Sequence, residues 1–124
     1  VRPARRKKAR AFGLRAETLA AVLLRLKGYA ILARNYRLHG GEVDLIVRRG
    51  KNLVFVEVKA RPTLDEARLA LNPAQTARMS RAARVWLSRH PESAGLNLRA
   101  DAIFIAPGHW PHHLEAVTPL DLFW

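Results

Sequence analysis

Gly41-Glu42-Val43-Asp44-Leu45-Ile46-Val47-Arg48-Arg49-Gly50-Lys51-Asn52-Leu53-Val54-Phe55-Val56-Glu57-Val58-Lys59 decides the fold. Two runs rich in β-branched and aliphatic residues flank Arg49-Gly50-Lys51-Asn52, a glycine-containing turn typical of hairpins. With the loop centred on Gly50-Lys51, Val43 meets Val58, Leu45 meets Val56 and Val47 meets Val54. That face is wholly aliphatic and belongs on the core. The other face sets Glu42, Asp44, Ile46 and Arg48 against Lys59, Glu57, Phe55 and Leu53. A slip of one residue would mix the two sets, so this register is expected.

The register places Asp44 directly opposite Glu57. Carboxylates opposed across a strand pair lie with Cβ atoms about 5 Å apart, and like charges there destabilise the sheet. A divalent cation compensates naturally, since Mg²⁺ takes oxygen ligands and keeps several waters. Lys59 projects from the same face, two residues beyond Glu57. Two carboxylates, a lysine and a hydrated metal are the parts that hydrolyse a phosphodiester. A purely structural reading stands beside this one. Glu42 faces Lys59 in the same register as an ordinary ion pair, and Arg48 or Arg61 would neutralise the remaining acids.

Outward from the hairpin, Leu19, Val22, Leu23 and Leu26 recur at the period of one buried helical face, which suggests a helix from Gly13 to Lys27. Gly28 is placed to end it. Tyr29 to Arg37 reads as a partly exposed strand and His39-Gly40-Gly41 as a turn. Arg61 to Ala70 reads as a flexible charged stretch. Asn72-Pro73 then opens a second helix with a capping residue and a proline at its first position. Met79, Ala82, Ala83 and Trp86 form its apolar stripe. After a loop from Pro91 to Asn97 come two strands, Leu98 to Ile105 and His112 to Val117, parted by Pro107-Gly108. The order is helix, three strands, helix, two strands: an α/β class fold with its sheet flanked by helices.

Composition narrows the partners. The 124 residues suit one domain, read as residues 11–124 behind a basic arm, 1–10, expected to be disordered when free. There is no cysteine, so disulfides and thiolate metal sites are excluded. The absence of a long apolar run or leader pattern points away from a membrane and toward the cytoplasm. The net charge is +12, of which the arm supplies 6, so the body is basic in its own right. Such a field attracts polyanions, nucleic acid before anionic membrane. Arg outnumbers Lys seventeen to five. That ratio suits bidentate phosphate contacts, but a genome-wide codon bias produces it equally well.

The hairpin motif resembles the YraN-like family of small bacterial proteins of uncharacterised function. Gly41 to Ile46 and Leu53 to Arg61 carry the likeness, with Gly28 to Arg37, Arg99-Ala100-Asp101 and His113-Leu114-Glu115 in support. That family is similar to the PD-(D/E)XK nuclease superfamily of restriction enzymes and Holliday-junction resolvases. The resemblance implies a restriction-endonuclease-like core with a mixed sheet. It also implies Asp44 and Glu57 as ligands of Mg²⁺ or Mn²⁺, and Lys59 as catalytic base or charge stabiliser. Val43 stands where the superfamily usually has proline. Glu17 matches an acid that often completes such a metal site, and Gln75 falls where the second helix often presents Gln or Lys to the centre.

The expected function is metal-dependent endonucleolytic hydrolysis of DNA, branched or damaged forms included. The alternatives are a nucleic-acid-binding module that keeps the fold without cleavage, and a basic accessory protein. Arg61, Arg78, Arg81 and Arg84 are candidate phosphate contacts; the last three fit a solvated helix face equally well. Resolvase-like relatives often form a homodimer, because a symmetric junction calls for two cuts, and no interface is readable here. His109, His112 and His113 read as structural or surface residues. Asp101 reads as the partner of an arginine. Trp110 and Trp124 read as buried or interface aromatics, with base stacking as the alternative.

Overall fold

The computed structural model describes residues 3–122, with side chains from Arg15 onward. The elements run α1 (Pro3–Leu26), β1 (Ala30–Leu38), β2 (Gly41–Arg49), β3 (Asn52–Ala60), α2 (Leu64–Leu69), α3 (Pro73–Arg89), β4 (Asn97–Ile105) and β5 (His112–Thr118). The five strands lie in sheet order β1-β2-β3-β4-β5. All neighbours are antiparallel except β3 and β4, which are parallel. That one parallel pair needs a crossover, and α2 with α3 provides it. The α/β mixed sheet and the element order are those expected of a restriction-endonuclease-like core.

Both faces of the hairpin are buried, each under its own helix. Leu45, Val47, Val54 and Val56 pack with Ala16, Ala20, Ala21 and Leu24 of α1. Ile46, Leu53 and Phe55 pack with Met79, Ala82, Ala83 and Trp86 of α3, the stripe read from sequence. Gly41 lets α3 come close: a Cβ there would sit 3.0 Å from the backbone nitrogen of Ala82.

Helix α1 differs from expectation in two ways. Its backbone begins at Pro3, so the stretch read as a separate arm, 1–10, falls on it from that residue on. Alanine, arginine and lysine are all good helix formers, and Pro3 is tolerated in a first turn. Its buried face is also not the leucine stripe. Leu19 and Val22 are 45% exposed and Leu26 is 82% exposed, while Ala16, Ala20, Ala21 and Leu24 are buried. Small side chains let the helix settle close on the sheet. Periodicity reports a stripe, but it cannot tell which stripe faces inward when alanines compete with leucines. Gly28 ends the helix at φ 91° as expected.

The stretch expected to be flexible contains the short helix α2, capped by Thr63, whose hydroxyl accepts from the Glu66 N–H. Ala67 buries itself against Ala102 and Phe104. Asn72 caps α3 as read, its side chain accepting from the Gln75 N–H.

The buried centre of β4 resolves the role of Asp101. This carboxylate is fully buried. It accepts from Arg99 Nε at 2.7 Å and Nη2 at 2.9 Å, from the Ala116 N–H at 3.0 Å, and contacts His113 Nε2 at 2.8 Å. Burial pushes its carboxyl up, but His113, Arg99 and the Ala116 amide together hold it below the usual range. Asp101 is therefore an arginine's structural partner, as read, and His113 belongs to the same network. Trp110 is not buried: it is 91% exposed on the loop after β4. Trp124 lies outside the described residues.

Candidate active site

Hairpin pairing follows the expected register from Leu45↔Val56 through Arg49↔Asn52 and stops there. Val43 does not join the aliphatic face opposite Val58. It packs with Ile46 and Phe55 on the α3 side, whereas Val58 packs on the α1 side. Asp44 is accordingly not a ladder partner of Glu57. Instead β2 parts from β3, and Asp44 Oδ2 accepts from the Val58 N–H at 2.7 Å. A carboxylate thus takes the place of a backbone carbonyl, a short charge-assisted bond that holds Asp44 in the gap.

The two acids nonetheless meet. Glu57 is buried at 3% exposure, and its carboxyl lies in hydrogen-bonding reach of Asp44. Burial, then the hydrogen bond and charge of Asp44, push the Glu57 carboxyl up to about 9, with Lys59 opposing and Glu42 adding to the rise. At neutral pH the free protein resolves the clash of carboxylates by keeping a proton on Glu57. Glu57 Oε1 lies 3.5 Å from Lys59 Nζ. Glu57 Oε2 is buried and has no hydrogen-bond partner.

Glu17 reaches the same cleft from α1, and its buried Oε1 also lacks a hydrogen bond. Arg34 Nε approaches that oxygen at 3.6 Å. Burial and the charge of Asp44 raise the Glu17 carboxyl, against Arg34 and a hydrogen bond from Asn35. Acids therefore converge on Asp44 from both sides of the sheet.

Lys59 is held from the other side. Its Nζ donates to Gln75 Oε1 at 3.0 Å, while Gln75 Nε2 donates to Glu42 Oε1 at 3.2 Å. Glu42 is not the ion-pair partner of Lys59 read from the register: Gln75 stands between them, and Arg78 lies 3.8 Å from Glu42. The departure of β2 beyond Leu45 is the reason, because it removes Glu42 from the position opposite Lys59. Arg48 does not neutralise the acids either, since its Nε donates to the Gly50 carbonyl.

Glu17, Arg37, Glu42, Asp44, Glu57, Lys59 and Arg61 line one polar cleft of about 260 Å³. Arg61 belongs to it; Arg81 and Arg84 do not. Arg81 donates to the His39 carbonyl at 2.9 Å and Arg84 to the Asp121 carbonyl at 2.6 Å, so both tie loops to α3. Arg37 escaped the sequence reading. Its adjacency to Glu42 in the β1–β2 ladder is the relevant signal, and that is visible only once β1 is known to pair with β2. Among the described residues neither Arg37 nor Arg61 makes an ion pair.

The donor set is oxygen only, which suits a hard cation. Two buried carboxylate oxygens without hydrogen bonds, on Glu57 and Glu17, are what such an ion would satisfy. Among the described residues no three acidic or histidine side chains are already gathered as a cage. Such a set could hold Mg²⁺ or Mn²⁺ through one or two carboxylates and water.

Sequence comparison places the same residues in a family. The model of "Uncharacterised protein family UPF0102" matches residues 16–105, a span holding every acid and base of the cleft. A UPF0102 protein of Methylocella silvestris is 56% identical over 109 residues, 88% of each chain. One from Methylorubrum extorquens is 59% identical over 111 residues, 90% of this chain and 87% of its own. Another, from Parvibaculum lavamentivorans, is 55% identical over 102 residues, 82% and 77% of the two chains.

Proposed function

Because the chain belongs to the uncharacterised protein family UPF0102, whose name assigns no chemistry, we propose from the cleft itself that it is a metal-dependent nuclease hydrolysing phosphodiester bonds in DNA. The observation that carries this reading is the buried Glu57 carboxyl, set between Asp44 and Lys59 with one oxygen lacking any hydrogen-bond partner. A structural ion pair has no use for a second acid beside the first.

Asp44 and Glu57 would hold Mg²⁺ or Mn²⁺, with Glu17 adding negative charge from α1. A bound cation polarises a phosphoryl oxygen and acidifies water. Glu57 must surrender its proton before it can ligate. Lys59 is kept extended over the cleft by Gln75 and by Glu57 Oε1, where its ammonium offsets charge building on a phosphate or steers water. Arg37 and Arg61 line the cleft and, among the described residues, make no ion pair, so they suit the flanking phosphates better than Arg81 and Arg84, which lie outside it. Arg78 lies 3.8 Å from Glu42 at the edge of this set. The basic body would draw the polyanion in.

The test is Mn²⁺ calorimetry on wild type and Glu57→Ala, followed by cleavage of flapped, branched, single-stranded and duplex DNA and of RNA. Mn²⁺ binding lost in the variant, with cutting that needs both metal and Lys59, is the expected result. Binding of DNA with Mn²⁺ bound but no cutting of any substrate would instead identify a module that kept the site without turnover. Equal, weak Mn²⁺ binding by both proteins would sink the cation site.

A further inference from the structure

Between β1 and β2 the ladder contains Arg34↔Leu45 and Tyr36↔Val43 but omits the intervening Asn35–Asp44 pair. At that step both strands change face. Ala33 and Tyr36 lie three residues apart, yet both pack on the α3 side, and so do Val43 and Ile46. A regular strand would put residues three apart on opposite faces. The turnover has a visible origin: Asn35 sits at φ 51°, in the left-handed region. Of the residues with a side chain, asparagine is among those that tolerate this best. Because the strands are paired, a reversal in β1 must be matched in β2, or Tyr36 and Val43 would point to opposite sides. The matched position is Asp44.

We propose that Asn35 is a positioning residue for the acidic cluster, aiming Asp44 through its backbone and Glu17 through its side chain. With β2 reversed at Asp44, the carboxylate leaves the regular alternation and turns toward β3, where it accepts from Val58 N–H and meets Glu57. The Asn35 side chain meanwhile lies in reach of the Glu17 carboxyl on the other wall and favours its ionised form. One residue thus brings together acids from α1 and β2, without lining the cleft itself. The inference rests on reading the cluster as a cation site, but its geometric half can be measured without metal.

The experiment compares wild type with Asn35→Gly, which accepts a positive φ, and Asn35→Val, which resists it. Amide exchange at Val58 in EDTA reports the Asp44 contact, and Mn²⁺ titration reports the assembled site. Asn35→Gly should keep Val58 protection near wild type and lose only a few-fold in Mn²⁺ affinity, through Glu17. Asn35→Val should lose about tenfold or more in both, the scale of a left-handed penalty on a residue with a Cβ. If Asn35→Val does not fold, Asn35→Ala against Asn35→Gly gives the same contrast. Wild-type Val58 protection and Mn²⁺ affinity in the valine or alanine variant would overturn the proposal. Val58 protection lost in that variant while wild type binds no Mn²⁺ would uphold the pivot and reject the cation reading instead.

Discussion

Replacing Glu57 with glutamine should make the metal-free protein more stable, although it removes the central acid. Folded Glu57 keeps a proton up to about pH 9, whereas the unfolded residue gives it up near its ordinary value of 4.5. Between those limits the folded state binds more protons than the unfolded one. Wild-type stability therefore falls as pH rises through the window, by about 1.4 kcal/mol per pH unit from this group. By pH 7 the accumulated loss is about 3 kcal/mol. Glutamine cannot ionise, and its amide N–H suits the neighbouring Asp44 carboxylate. Glu57→Gln should thus match wild type near pH 4 and exceed it by about 3 kcal/mol at pH 7. Urea denaturation in EDTA at pH 4, 5.5, 7 and 8.5 reads the difference directly. The other titrating groups, Glu17 and Asp101 included, are common to both proteins and cancel. Added Mn²⁺ should close that gap, because only wild type gains the roughly 3 kcal/mol that ligand at a hundred times its Kd supplies. Parallel pH profiles for the two proteins would show that folded Glu57 is ionised, and the account of the Asp44–Glu57 pair would fail.

Asp101→Ala leaves half-buried Arg99 with only Glu115, 3.6 Å away, as an acid partner, and should cost about 1–3 kcal/mol in denaturant titration. In wild type the depressed Asp101 carboxyl contributes stability that disappears as pH falls through its folded value, so the variant should have a flatter acid limb. Gly41→Ala drives a Cβ to 3.0 Å from the Ala82 backbone nitrogen, and about 1–3 kcal/mol of destabilisation is expected by thermal melting. Leu24→Ala should cost about 2–5 kcal/mol and Leu26→Ala under about 0.5, a contrast that reads out which face of α1 is buried. Under Ca²⁺, Arg37→Gln and Arg61→Gln should each lower the salt dependence of duplex binding by about one unit of log–log slope, and Arg84→Gln should leave it unchanged. Equal slopes in all three would remove the cleft arginines from the phosphate path.

What was legible in the sequence was local. The turn at Gly50-Lys51, the register from Leu45 to Arg49, the Asn72-Pro73 cap and the Met79–Trp86 stripe follow from nearest neighbours and period. The same periodicity brought Asp44, Glu57 and Lys59 to one end of a hairpin, and the family resemblance put Glu17 and Gln75 beside them. Tertiary structure decided the rest. It chose the alanine face of α1 over the leucine face, because close approach to the sheet outweighs larger side chains held further off. It moved Arg81 and Arg84 from the cleft to the loops and drew Arg37 in. Above all, it turned the opposed Asp44–Glu57 pair into a protonated contact across a parted hairpin. No pattern within β2 and β3 could announce that, because the cause lies at Asn35 in the neighbouring strand: paired strands must change face together.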